Sequence, residues 1–194
     1  MQTAHQAGRG RTTLLGLALA GAIALTGCGP VDLVPADSTD ASALRHREVG
    51  ATAHDETIGR SATINAVVTN FPVPTGFEAA DGAPSPDVFV VVDLSVVAGD
   101  VYPSVVQPSN FLLRSAAGDV VEPVTTIDTA LTDATLWPLG EITSGHTQRG
   151  WVAYPVTWDT VVGAELVMTR PDNITDENGD KLPAEQFVVP LGLE

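Results

Sequence analysis

The stretch "DNITDENGD" (Asp172–Asp180) gathers carboxylate and amide oxygens on a short run that contains a glycine. Calcium is bound by about six to eight such oxygens, so the residue types suit it. Aligning Gly179 with the glycine of a calcium loop of about twelve residues puts Asp176, Asn178 and Glu185 at ligand positions, with Asp180 beside the turn. The first ligand position then falls on Ile174, where an acid is required, and no flanking helices are apparent. A solvated hairpin loop turning at Asn178-Gly179, a favoured turn dipeptide, is therefore expected. A weak cation site at Asp176, Asn178, Asp180 and Glu185 is the alternative.

Other chemistry is thinly supplied. Beyond residue 28 the histidines are His46, His54 and His146, far apart and without the paired spacing of a zinc site. Met168 is the only thioether there, too little soft ligand for a copper carrier. The sequence contains no Gly-x-Ser-x-Gly turn and no Gly-rich phosphate loop. A triad around His54 or His146 would have to assemble from distant residues. Paired acids such as Glu177 and Asp180 are as compatible with loop solvation as with acid–base work. The expectation is no enzyme and no cofactor.

The single cysteine carries more information. Met1–Arg11 holds Arg9 and Arg11 and no acid, and Leu14–Leu25 is an unbroken run of twelve Leu, Ala, Gly and Ile residues. Spanning a bilayer takes roughly 20 apolar residues, whereas about 10–14 suit the core of an export signal. The run ends in Leu25-Thr26-Gly27-Cys28, which resembles a bacterial lipobox: a bulky apolar residue, two small ones that let a peptidase approach the backbone, then a cysteine whose sulfur takes diacylglycerol. Residues 1–27 are thus expected to be a lipoprotein signal peptide, and Cys28 a membrane anchor. The exported chain has no second cysteine and hence no internal disulfide, so a hydrophobic core must hold it together.

After Cys28 the chain has seven basic and 24 acidic residues, a net charge of −17. Phosphate contact needs clustered Arg or Lys, so nucleic acid is excluded as a partner. Residues 28–47 are rich in Pro, Ser, Asp and Ala and lack a sustained period, as a flexible tether would. Arg45-His46-Arg47 is its one basic knot. Residues 48–194 show no internal repeat or composition break and are expected to form one domain.

The elements that must position any site are strands. "DVFVVVDLSVVAGD" (Asp87–Asp100) sets Val88, Val90, Val92, Leu94 and Val96 on one face, and Phe89, Val91, Asp93, Ser95 and Val97 on the other. In Ser61–Asn70, Ile64, Ala66 and Val68 alternate onto one face. Ser109–Val124 reads as two strands around Ala117-Gly118-Asp119, His146–Trp158 as another, and Ala164–Arg170 and Glu185–Leu191 as the last. No segment shows a convincing helical period. Many short strands punctuated by 14 prolines and 18 glycines imply an all-β, antiparallel two-sheet sandwich. Trp151 and Tyr154 face oppositely, so at least one belongs to the core. Trp137, in "ATLWPLGE", is expected to cap the sandwich, with docking of a protein partner as the alternative.

Three blocks, "VFVVVDLSVVAGD", "PSNFLLRSAAGDVVEP" and "GEITSGHTQRGWVAYPV", occur in an order that resembles the immunoglobulin-like domain of unknown function found in lipoproteins of Gram-positive, actinobacterial species, related to a secreted mycobacterial immunoprotective antigen. They cover about half the domain and record strand and turn patterning rather than chemistry. The loop at Pro171–Pro183 and the Tyr102–Pro108 connection depart from the pattern. The resemblance implies an immunoglobulin-like sandwich outside the membrane and no catalytic residues. The expected function is a lipid-anchored, extracytoplasmic, non-catalytic binding or interaction module at the cell envelope. A calcium-dependent binding or sensing protein and an envelope hydrolase are the alternatives.

Overall fold

The structure is a computed structural model and describes residues 44–194 apart from Pro103. The expected signal peptide, with Leu25, Thr26 and Gly27, and Cys28 with the expected tether as far as residue 43, lie outside the described residues.

Strands dominate: β1 (His46–Asp55), β2 (Arg60–Phe71), β3 (Val88–Val97), β4 (Val105–Val106), β5 (Phe111–Arg114), β6 (Val120–Val121), β7 (Ile142–Thr143), β8 (Thr147–Val156), β9 (Glu165–Arg170) and β10 (Glu185–Pro190). One sheet has the order β1-β2-β3-β8, a second β10-β9-β5-β6, and β4 pairs with β7 in a small ribbon. All of these pairings are antiparallel. The chain is an all-β sandwich, as its alternation requires. In a constant-type immunoglobulin domain the third strand crosses to the facing sheet. Here β3 stays beside β2.

The first sheet is covered on both sides, which accounts for the doubly apolar start of β3. Val88, Val90, Val92, Leu94 and Val96 meet Phe111 and Leu113 of β5, Leu166 and Met168 of β9, and Val189 and Leu191 from the β10 end. On the opposite face Phe89 and Val91 join Val68, Phe71 and Ala153 beneath a strap that contributes Ile127, Leu131 and Leu136. The strap includes the short helix α1 (Asp128–Asp133). Six residues give no readable helical period, and such a helix is marginal alone, so burial of Leu131 must hold it in place. A second short helix, α2 (Trp158–Val161), follows β8.

Tyr154 of β8 is fully buried and donates its hydroxyl to the Phe111 carbonyl of β5 at 3.0 Å, tying the two sheets together. Trp151, its oppositely facing neighbour, is half-buried against the strap side.

Two expectations need correction. In β2 the pairing steps from Ile64↔Leu94 to Ala66↔Asp93, so Asn65 is an extra residue. Such a bulge reverses the alternation beyond it. Ile64 and Val67 therefore share the inter-sheet core while Val68 turns to the strap, in place of the Ile64, Ala66, Val68 face. The tether boundary at 47 also falls too late. Leu44 already packs under the strap side, and β1 starts at His46. The apolar side chains this edge strand turns inward are just Val49, Ala51 and Ala53, too small a signal to stand out in sequence.

Candidate functional site

The registers fix which loops share an end. His46 lies opposite Val68, and Asp55 opposite Arg60, so the chain enters at one end of the sandwich and the β1–β2 turn lies at the other. Val97 pairs with Ser61 and with Thr147, and Arg170 with Glu185. The connections after β1, β3, β4, β7 and β9 therefore converge at the end remote from residue 44.

Those loops are pinned by two buried arginines. Arg60, wholly inaccessible, donates Nη1 to the Thr169 carbonyl at 3.3 Å and Nη2 to Ser104 Oγ at 3.1 Å. Arg170, also buried, donates Nη1 to Asp55 Oδ1 at 2.9 Å and Nε to the Pro183 carbonyl at 3.0 Å, and its Nη2 pairs with Glu185. Burial lowers the affinity of Arg60 for its proton, nearby Asp55 opposes that, and Arg170 adds to it. Asp55 Oδ2 and Arg60 Nε meet no hydrogen-bond partner among the described residues. Gly99 lets the β3–β4 loop lie against the β1–β2 turn. A Cβ there would stand 2.2 Å from the Ile58 carbonyl oxygen, and its φ of 78° is one few side chains tolerate.

Between the loops is a cleft of about 560 Å³. Ser104, Val105, Gln107 and Asn110 supply one wall. Pro171, Asn173 and Ile174 supply the other, and Ser144 also lines it. Arg60 braces the two walls through Ser104 and Thr169, and Thr169 Oγ1 adds a 3.2 Å bond to the Asn110 carbonyl. Ser144 is held by donating its Oγ to the Gly99 carbonyl at 2.9 Å. Asn110 Oδ1 accepts the Gln107 amide N–H at 2.9 Å. Gln107 Nε2 reaches Glu141 at 3.1 Å.

The residues singled out in sequence are distributed differently. Asp176 Oδ1 accepts the backbone N–H of Asn178 at 2.8 Å and of Asp180 at 2.9 Å, closing the turn at Gly179. These bonds, led by that from Asp180, hold the Asp176 carboxyl below the usual range. Glu185 is taken by Arg170, so Asp176, Asn178, Asp180 and Glu185 are not assembled as a ligand set. Among the described residues no three His, Cys, Asp or Glu side chains are grouped to hold a metal. His46 meets the Trp151 ring edge-on at 6.0 Å, His54 sits opposite Ser61, and His146 Nδ1 lies 3.1 Å from Thr143 Oγ1 and 3.1 Å from the Ser144 carbonyl oxygen. Trp137 does not cap the core. It is 66% exposed, on a segment whose backbone bonds to β8 at Trp151. Trp158 is the tryptophan that packs on the inter-sheet core.

Sequence reasoning missed Arg60, Arg170 and the cleft. The available signal was weak: Arg60 begins an apolar strand and Arg170 ends one, but the half-buried Arg114 also ends one, so position at a strand end does not single out the buried pair.

No family model matches the chain, and no curated protein does. Among solved structures, a functionally unknown protein from Listeria monocytogenes EGD-e is similar at 12% identity over 81% of this chain and 98% of that one, with a TM-score of 0.45. Among the described residues no helix is long and apolar enough to cross a membrane.

Proposed function

We propose that the protein is a lipid-anchored, extracytoplasmic, non-catalytic binding module, held at the membrane through Cys28, that presents the loop cleft to the cell envelope. The leader, the apolar core and the Leu25-Thr26-Gly27-Cys28 motif support the anchor. The observation that carries the rest is polarity. The chain enters the sandwich at Leu44–His46, and the cleft lies at the opposite end, remote from the side that the tether reaches. A ligand captured there by an anchored module is held at high effective concentration, so modest affinity suffices. The resemblance to actinobacterial immunoglobulin-like lipoproteins fits this reading.

Cys28→Ser tests the anchor. The variant should leave the membrane fraction, or accumulate uncleaved, with the domain still folded. Retention as a processed membrane protein would refute lipidation at this residue.

Trp137 supports a second reading, in which a protein partner docks on the side of the sandwich. Its ring is the most exposed of the large apolar side chains among the described residues, and a rigid aromatic makes an efficient anchor.

A further inference from the structure

We infer that the cleft takes an uncharged, polyhydroxylated ligand, a neutral saccharide chain of the envelope; this rests on the reading of the cleft as the binding site. Every described residue lining it is uncharged. Its polar side chains are amides and hydroxyls, each able both to donate and to accept, which matches sugar hydroxyls that also do both. The distribution of free valences fits. Ser104 accepts from Arg60, so its own O–H remains to donate into the cleft. Ser144 spends its hydrogen on Gly99 and keeps lone pairs to accept. Asn110 uses Oδ1 internally and has Nδ2 free, and the Asn173 amide makes no hydrogen bond among the described residues. Val105, Pro171 and Ile174 supply apolar surface for the C–H face of a ring.

Charge excludes the obvious competitors. An anion would meet no fixed cation in the lining and would pass Asp172 and Glu141, exposed beside it. A cation would be drawn by the same two acids, but it would find no carboxylate within the described lining to pair with, and Glu141 is already held by Gln107. A peptide added as a strand needs a free run of backbone N–H and C=O groups. Among the described lining residues only Val105 lies in a strand, β4, which is two residues long and already paired to β7 on one side. Arg60 acts as a positioning residue, because it sets the separation of Ser104 from the Thr169–Asn173 wall.

The test is NMR titration of the isotopically labelled exported chain, Cys28→Ser so that it is soluble. The probes are mannan, galactan and glucan oligosaccharides, uncharged Ser/Asn-rich peptides, an anionic uronate oligomer and a cationic glucosamine oligomer. A neutral oligosaccharide should shift the Ser104, Asn110, Ser144 and Asn173 resonances, saturably. Asn173→Ala and Ser144→Ala, with unchanged melting points, should each weaken binding at least tenfold. Saturable shifts at the cleft with a peptide or a charged oligomer, and not with the neutral sugars, would overturn the saccharide assignment and keep the cleft as a binding site. No shift at the cleft with any probe would overturn the assignment and the binding-site reading together.

Discussion

Arg60 and Ser104, 44 positions apart in sequence, are joined by a 3.1 Å hydrogen bond from Nη2 to Oγ at the loop end of the sandwich. The same guanidinium holds the Thr169 carbonyl, so one buried cation sets the width of the cleft. Beside it Arg170 neutralises Asp55, whose accessibility is as low as that of the core. Removing one member of a buried pair leaves an uncompensated charge, which costs far more than the pair contributes.

Arg170→Met should therefore destabilise the domain by about 3–5 kcal/mol, as expected for a buried ion pair broken on one side. Arg60→Met should cost less, about 1–3 kcal/mol, because Asp55 keeps Arg170 and the loss is mainly of hydrogen bonds to Ser104 and Thr169. Urea unfolding gives both numbers. The reverse order would show that Arg60, and not Arg170, is the main counter-charge of Asp55.

Tyr154 predicts behaviour in alkali. Burial raises its pKa above the ordinary value of about 10. The folded state thus retains a proton that the unfolded chain releases. Its stabilising contribution is complete below about pH 10 and declines as pH rises further. Tyr154→Phe should abolish that alkaline loss. At neutral pH it should cost about 1–3 kcal/mol, since the Phe111 carbonyl loses its partner inside the core. Unfolding curves at pH 8 and pH 11 separate the two effects. An unchanged alkaline slope in the variant would contradict this account of Tyr154.

Gly99→Ala should distort the loop end. The left-handed backbone alone costs on the order of 1–3 kcal/mol. The clash with the Ile58 carbonyl adds to it. Gly145 accepts the same substitution without a clash, since nothing lies within 4 Å of its Cβ position. Equal melting points for the two variants would mean that the Gly99–Ile58 approach is not rigid.

Much of the sandwich was legible in the sequence, and what was not has a physical cause. Each of Val88, Val90, Val92, Leu94 and Val96 carries a large apolar side chain at a period of two, so β3 and its inner face could be assigned by inspection. Asn65 is invisible to the same reasoning, because a bulge depends on how β2 pairs with β3 and not on the local pattern. Strand β1 hides behind alanines, and α1 behind its brevity. The site was less legible still. Its lining comes from four connections and the short strand β4, brought together only by the strand registers, and the residue types involved are ordinary loop residues. The acidic loop caught attention for its composition, yet Asp176 spends its oxygens on its own backbone turn.

That turn yields a prediction for metal. With Asp176 oxygens engaged and Glu185 paired to Arg170, millimolar calcium or EDTA should leave the melting point unchanged within about 1 °C. A calcium-dependent rise abolished by Asp176→Ala would restore the cation-dependent reading.

Trp137→Ala should leave stability within about 0.5 kcal/mol, the usual range for an exposed position. Loss of an envelope partner in this variant, with the cleft intact, would favour side docking over the cleft.

The central claim, that the loop end is the working end, is tested most directly by site-specific photocrosslinking in intact cells. A photoreactive residue is placed at Asp172, exposed beside the cleft but outside its lining, in one strain and in another at Val162, which is exposed at the opposite end. Anchored protein should give a reproducible envelope adduct from position 172, absent from position 162 and lost on Ser144→Ala. Adducts of equal yield from both positions, or from 162 alone, would contradict the account.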